Sequence, residues 1–154
     1  GWNYRGMGQF GASVSPVDSL FFALRAIGGS PLAAFTKLKE LPPDAALSHI
    51  RAVAMYFIRW PSSTAAIEWL RLLNAPGIAG HALGSVEAAA GHNRPELNDT
   101  SVRNSQLKEL YIAAALFCCQ PLSRDARGVL EAYRDSPQAL YAEFAAQVLA
   151  RRHW

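Results

Sequence analysis

Two cysteines, three lysines and no long apolar run already limit what this 154-residue chain can be. Cys118 and Cys119 are neighbours, and adjacent cysteines cannot close an ordinary disulfide without distorting the peptide between them. No disulfide framework is available, and at least one of the pair is expected to be a small buried hydrophobe. Nothing in them fixes the redox compartment. No apolar stretch approaches the ~18 residues of a membrane helix and no signal-peptide pattern opens the chain, so no membrane span is expected. Twelve arginines and three lysines stand against twelve acids, a net charge of +3 spread along the sequence. The densest basic point, Arg151-Arg152-His153, lies at the C-terminal end, where a solvated, frayed tail is the plain reading. Nucleic-acid binders carry a basic stripe with interleaved aromatics, which is missing here, so no nucleic-acid partner is expected.

Other absences concern chemistry. The phosphate loop G-x-x-x-x-G-K-[ST], the zinc motif H-E-x-x-H and the nucleophile elbow G-x-S-x-G do not occur. His49, His81, His92 and His153 show no ligand spacing, so no metal site is expected. Asn98-Asp99-Thr100 matches a glycosylation sequon, a short pattern that arises often by chance. One motif does match. Gly6, Gly8 and Gly11 in "RGMGQFGAS" have the G-x-G-x-x-G spacing of a dinucleotide loop. That loop works only when a buried strand leads into it and a helix begins at its end. Just five residues, "GWNYR", precede Gly6, and three separate Gly11 from the next helix start at Ser15. The acid expected about 20 positions on is missing between Asp18 and Glu40. The glycines are therefore read as a tight loop in which Trp2, Tyr4 and Phe10 pack on the first helices, with no cofactor-binding residue in it.

What the sequence does contain is helical periodicity. At 51% hydrophobic and 18% charged, it has the composition of a globular domain, and at this length a core can bury roughly 70% of the unfolded surface. Ser15-Pro16-Val17-Asp18 is a capped helix start, followed by Leu20, Phe21, Leu24 and Ile27 at helical spacing and stopped by Gly28-Gly29. Ser30-Pro31 begins a second helix carrying Leu32, Phe35, Leu38 and Leu41. A third begins at Asp44, with Leu47, Ile50, Val53, Ala54, Phe57 and Ile58 inward. A fourth follows Pro61-Ser62, with Ile67, Leu70 and Leu73 inward. A short small-residue helix follows the "NAPG" turn, and residues 91–104 read as the longest irregular stretch. From Gln106 the period returns with Leu107, Leu110, Tyr111, Ala114, Phe117 and Cys118. Ser123 caps the next helix (Val129, Leu130, Tyr133), and Ser136-Pro137 starts the last (Leu140, Tyr141, Phe144, Val148). No segment alternates apolar and polar residues for long, so no significant sheet is expected. The prediction is an all-α chain of about eight helices. Paired antiparallel helices would form a HEAT-like α-solenoid with a period nearer thirty residues than 40–47, and an irregular helical bundle is the alternative. Residues 1–14 form a Gly/aromatic connecting strap and residues 15–152 one helical-repeat domain.

Two polar features stand out. "SHIRA" places His49 and Arg51 in an otherwise apolar helix. The 91–104 stretch carries Asn93, Arg94, Asn98, Asp99, Arg103 and Asn104. Buried polar groups must be paired, so hydrogen bonding between helices is the plain reading for both. The functional one is a polar surface, His49, Arg51, Arg94, Asn98, Arg103 and Asn104, that meets another domain or a ligand. Trp60, Trp69 and Trp154 could line a peptide-binding groove, although Trp69 fits the edge of a core better.

"GWNYRGMGQFG", "SPVDSLFFAL", "SHIRAVAM", "GIAGHAL" and "RNSQLKELYIAAALFCC" together resemble the C-terminal helical region of a family of bacterial FAD-dependent oxidoreductases. The resemblance runs in order over nearly the whole sequence. It implies HEAT-like repeats attached behind a flavin domain whose own dinucleotide loop lies far upstream, with FAD in the parent protein and none here. It implies a chain cut from a longer one, as the opening Gly1 also suggests, and an exported or periplasmic bacterial location. The upstream flavin domain becomes the expected partner. Trp2, Tyr4, Arg5 and Phe10 become the interface through which the strap meets it. No catalytic residue is carried over, and "CCQ" departs from the family's single cysteine flanked by a basic residue and glycine. The implied function is a non-catalytic scaffold or interaction domain. The alternatives are a stand-alone helical protein-binding module, or a domain that lends residues 91–104 to a substrate pocket.

Overall fold

The computed structural model describes residues 32, 34–36, 46–75 and 100–151, and within them every regular element is helical. In order they are α1 (Ala46–Arg59), a 3-10 turn (Ser63–Ala65), α2 (Ala66–Leu73), α3 (Thr100–Cys119), α4 (Arg124–Arg134) and α5 (Ala139–Ala150). The all-α expectation holds over these residues.

Local chemistry explains where the helices break and restart. Pro61 follows α1, and the Ser62 hydroxyl lies 2.8 Å from that of Thr64 as the chain turns into the 3-10 segment. Asn74 closes α2 by folding its amide Nδ2–H back onto the Leu70 carbonyl at 3.0 Å. Ser123 caps α4 as its position predicts: its Oγ accepts the Ala126 N–H at 3.3 Å. Asp125 in the first turn and Arg134 in the last complement the helix dipole. Before α5, the Ser136 hydroxyl accepts the Gln138 N–H at 3.2 Å across Pro137, in the turn that leads to the helix's first residue, Ala139.

The centre of the arrangement is α3. Every residue from Gln106 to Phe117 is buried, as is Cys119. A helix covered on all sides must have neighbours on all sides, and α3 packs against α1, α2, α4 and α5, while α4 and α5 also pack on each other. Three consecutive alanines, Ala113, Ala114 and Ala115, let those neighbours approach closely. On the α1–α2 side the core is aromatic. Phe35 stacks on Phe57 at 5.5 Å and meets the edge of Trp69 at 4.9 Å, and Phe57 meets Trp69 at 5.9 Å.

The structure corrects several details. Ile67, expected inward, is 51% exposed. The inward face of α2 instead follows Ala66, Trp69, Leu72 and Leu73, because the indole offers the larger apolar surface and sets the helix's rotation. Trp69 is wholly enclosed rather than at the core's edge. Leu140, also expected inward, is 60% exposed, since α5 faces the core with Tyr141, Ala145 and Val148. Arg103 and Asn104 belong to helix α3, not to an irregular loop. Residues 100–105 contain neither proline nor glycine, so nothing stops the helix from including them.

Candidate functional site

Helices α1 and α5 both pack on α3, and a cleft of about 260 Å³ lies between them. Arg51 and Met55, one turn apart on α1, form one wall. Leu140, Glu143, Phe144 and Gln147 on α5 form the other, and Tyr111 of α3 lines it as well. Phe144 and Tyr111 meet edge to face at 5.6 Å, fixing an aromatic surface. Met55 and Leu140 are 42% and 60% exposed at the cleft. Across from Arg51, the Gln147 amide donates to Glu143 Oε1 at 3.4 Å, so the carboxylate is steadied by a neighbour one turn away on the same helix. The cleft therefore combines a cation on one wall, a carboxylate on the other and an apolar surface made by four side chains.

A second group of polar residues is sealed inside. Glu109 is buried on α3 and accepts a 2.8 Å hydrogen bond from the Tyr133 hydroxyl on α4. Burial pushes the Glu109 carboxyl above the ordinary carboxylate range, and the Tyr133 hydrogen bond offsets part of that rise. The same burial, with the Glu109 charge beside it, holds the Tyr133 hydroxyl protonated well above the usual tyrosine range. Tyr141 stands edge to face with Tyr133 at 6.1 Å, and burial pushes its hydroxyl up to about 12 despite the nearby Arg103 charge. Lys108 and Gln106 are buried on the same helix, and neither atom of the Gln106 amide finds a hydrogen-bond partner among the described residues.

The two cysteines are free thiols on the last turn of α3. Burial raises both; Cys118 is pushed up to about 11 although the Arg151 charge works the other way, and a Ser62 backbone hydrogen bond partly offsets the rise at Cys119. A thiol held protonated is a poor nucleophile. Both are packing residues in this setting.

The sequence-derived candidates scatter. Arg51 lines the cleft, and His49, two positions before it, is half-buried elsewhere on α1 with Nδ1 making no hydrogen bond among the described residues. Arg103 is half-buried on α3 and acts electrostatically on Tyr141, while Asn104 is half-buried beside it in sequence. Trp2, Tyr4, Arg5, Phe10, Arg94 and Asn98 lie outside the described residues. Sequence reading missed the α5 wall, although Leu140, Phe144 and Gln147 fall at the i, i+4, i+7 spacing of one helix face. It also missed Glu109, which only its hydrophobic surroundings at Leu107, Leu110 and Ile112 could have flagged. Among the described residues no group of three or more His, Cys, Asp or Glu side chains is placed to hold a metal ion, and no helix is long and apolar enough to cross a membrane. No family model matches this sequence, and no curated protein or solved structure matches it either.

Proposed function

We propose that this chain is a non-catalytic helical scaffold and interaction domain, the C-terminal part of a larger bacterial FAD-dependent oxidoreductase that is exported from the cytoplasm. The observation that carries the scaffold reading is the inward turn of Glu109, Tyr133 and the two thiols among the described residues. Glu109 is bound to Tyr133 within the α3–α4 seam, and both thiols are held protonated by burial. Groups so placed join helices; they do not meet a substrate. The flavoenzyme reading rests on the sequence resemblance. In it, FAD sits in the upstream domain, and Trp2, Tyr4, Arg5 and Phe10 of the strap meet that domain.

A HEAT-like stack of helix pairs suits such a role, with α4 packed on α5 as one pair. The position of α3, against the four other described helices, favours the irregular bundle as the alternative architecture. The purified chain is expected to be folded, colourless and without oxidoreductase activity. Circular dichroism and an absorbance scan of the flavin region check this directly, and a sample that retains stoichiometric flavin overturns the scaffold reading. The coding DNA upstream of Gly1 tests the parent separately: it should encode a strand, a G-x-G-x-x-G loop and a helix.

A further inference from the structure

The α1–α5 cleft has a character that the scaffold role does not use. Its walls carry opposite charges, Arg51 on α1 and Glu143 on α5, and its apolar surface is made by Met55, Tyr111, Leu140 and Phe144. We propose that this cleft binds a hydrophobic α-amino acid, its carboxylate on Arg51, its ammonium at Glu143 and its side chain against Tyr111 and Phe144. This goes beyond the scaffold reading and does not depend on whether a flavin domain precedes the chain.

Three properties select that ligand class. The first is size: about 260 Å³ falls below the ~300–1,000 Å³ of drug-sized sites and suits one side chain with its head group. The second is charge. A ligand bearing only an acid would place its carboxylate in a cleft that also holds Glu143, and one bearing only an amine would face Arg51. A zwitterion satisfies both walls at once, and the like-charge cost disfavours the singly charged analogues. The third is donor and acceptor capacity. A guanidinium carries five N–H donors in a planar fork that matches a carboxylate, so what Arg51 already engages does not exhaust it. Glu143 has further lone pairs beyond the one that Gln147 engages at 3.4 Å. The aromatic pair and the half-exposed Met55 and Leu140 then reward an aromatic or branched aliphatic side chain over glycine.

The test is a titration of the ¹⁵N-labelled full 154-residue chain with L-phenylalanine, L-leucine, glycine, 3-phenylpropionate and phenethylamine, followed by NMR. Saturable shifts are expected at Met55, Leu140, Glu143 and Phe144 with the two hydrophobic amino acids, and markedly weaker ones with the other three probes. Arg51→Met should weaken L-phenylalanine binding by about tenfold or more, the loss of a charge-assisted pair. Glu143→Gln should weaken L-phenylalanine but leave or improve the response to 3-phenylpropionate. Because Glu143 is exposed, that variant keeps the test alive if Arg51→Met fails to fold. No saturable shift at ~10 mM amino acid, a Kd too weak to matter, overturns the proposal. So does equal binding of 3-phenylpropionate, or indifference of L-phenylalanine to Glu143→Gln; each would mean the cleft does not read a zwitterion.

Discussion

The two sides of α3 are built differently. Toward α1 and α2 the core is a cluster of rings: Phe35, Phe57 and Trp69 pack within 6 Å of one another, with Tyr56 against Phe57 at 5.2 Å. Toward α4 and α5 it is a tyrosine and carboxyl network, in which Glu109, Tyr133, Tyr141 and Tyr111 hold the seam. Apolar burial is non-directional and its strength scales with area, so the first side resists any loss of volume. A buried hydrogen bond is directional, and its contribution depends on protonation. The first side supplies stability at any pH, whereas the second fixes how α4 sits on α3 and responds to pH.

The largest effect should follow from breaking the dry side. Phe57 is almost completely enclosed and touches Phe35, Tyr56 and Trp69. Phe57→Ala is expected to cost ~3–5 kcal/mol, since the rings around it are held by the helix backbones and cannot collapse into the space. Urea or thermal melts followed by circular dichroism measure it. A loss below ~1 kcal/mol would mean that the aromatic cluster is not the rigid part of the fold.

The next effect tests the wet side, and its sign depends on pH. Glu109 has its carboxyl raised from 4.5 in the folded chain, so the folded state favours the protonated acid. That contribution is fully present below about pH 4.5 and is lost as pH rises through the folded value. Glu109→Gln keeps an acceptor for Tyr133 and removes the titration, so its stability relative to wild type should climb as pH increases from about 4.5. Tyr133→Phe does the reverse. It removes a hydrogen bond that favours the carboxylate and should cost ~1–3 kcal/mol, more at high pH than at low. Parallel pH profiles for all three proteins would show that Glu109 does not titrate with folding.

How much of this was legible in the sequence differs between the two sides as well. Helix periodicity placed α1, α4 and α5 and most of their buried residues; α4 is the clearest case, burying Ala126, Val129, Leu130 and Tyr133 on one face. Ser123 as a cap could be read directly, since capping is local chemistry. α3 was partly hidden. A helix buried on every side has no polar face to mark its rotation, and Gln106, Lys108 and Glu109 look like surface residues until their neighbours are known. Ile67 and Leu140 misled for the opposite reason: each is apolar and in phase with a short stretch, yet a larger or closer-packing neighbour sets the helix's rotation. Arg51 was singled out as a polar residue in an apolar helix. Its partner wall comes from α5, almost a hundred residues on, and no local pattern joins the two.

The smallest effect probes an exception within the dry side. Trp69 is fully enclosed, yet its indole Nε1–H finds no hydrogen-bond partner among the described residues. A buried donor left unpaired costs ~1–3 kcal/mol, which sets against the packing that the indole supplies. Trp69→Phe removes that donor together with part of the ring, so the lost contact area and the relieved donor oppose each other. The net change is expected to lie within ~1 kcal/mol, far smaller than the ~3–5 kcal/mol of a typical Trp→Ala loss. Trp69→Ala, which loses the contacts as well as the donor, provides the reference. If Trp69→Phe is instead as damaging as Trp69→Ala, the indole N–H is satisfied in solution, and the dry side of α3 is less dry than its rings suggest.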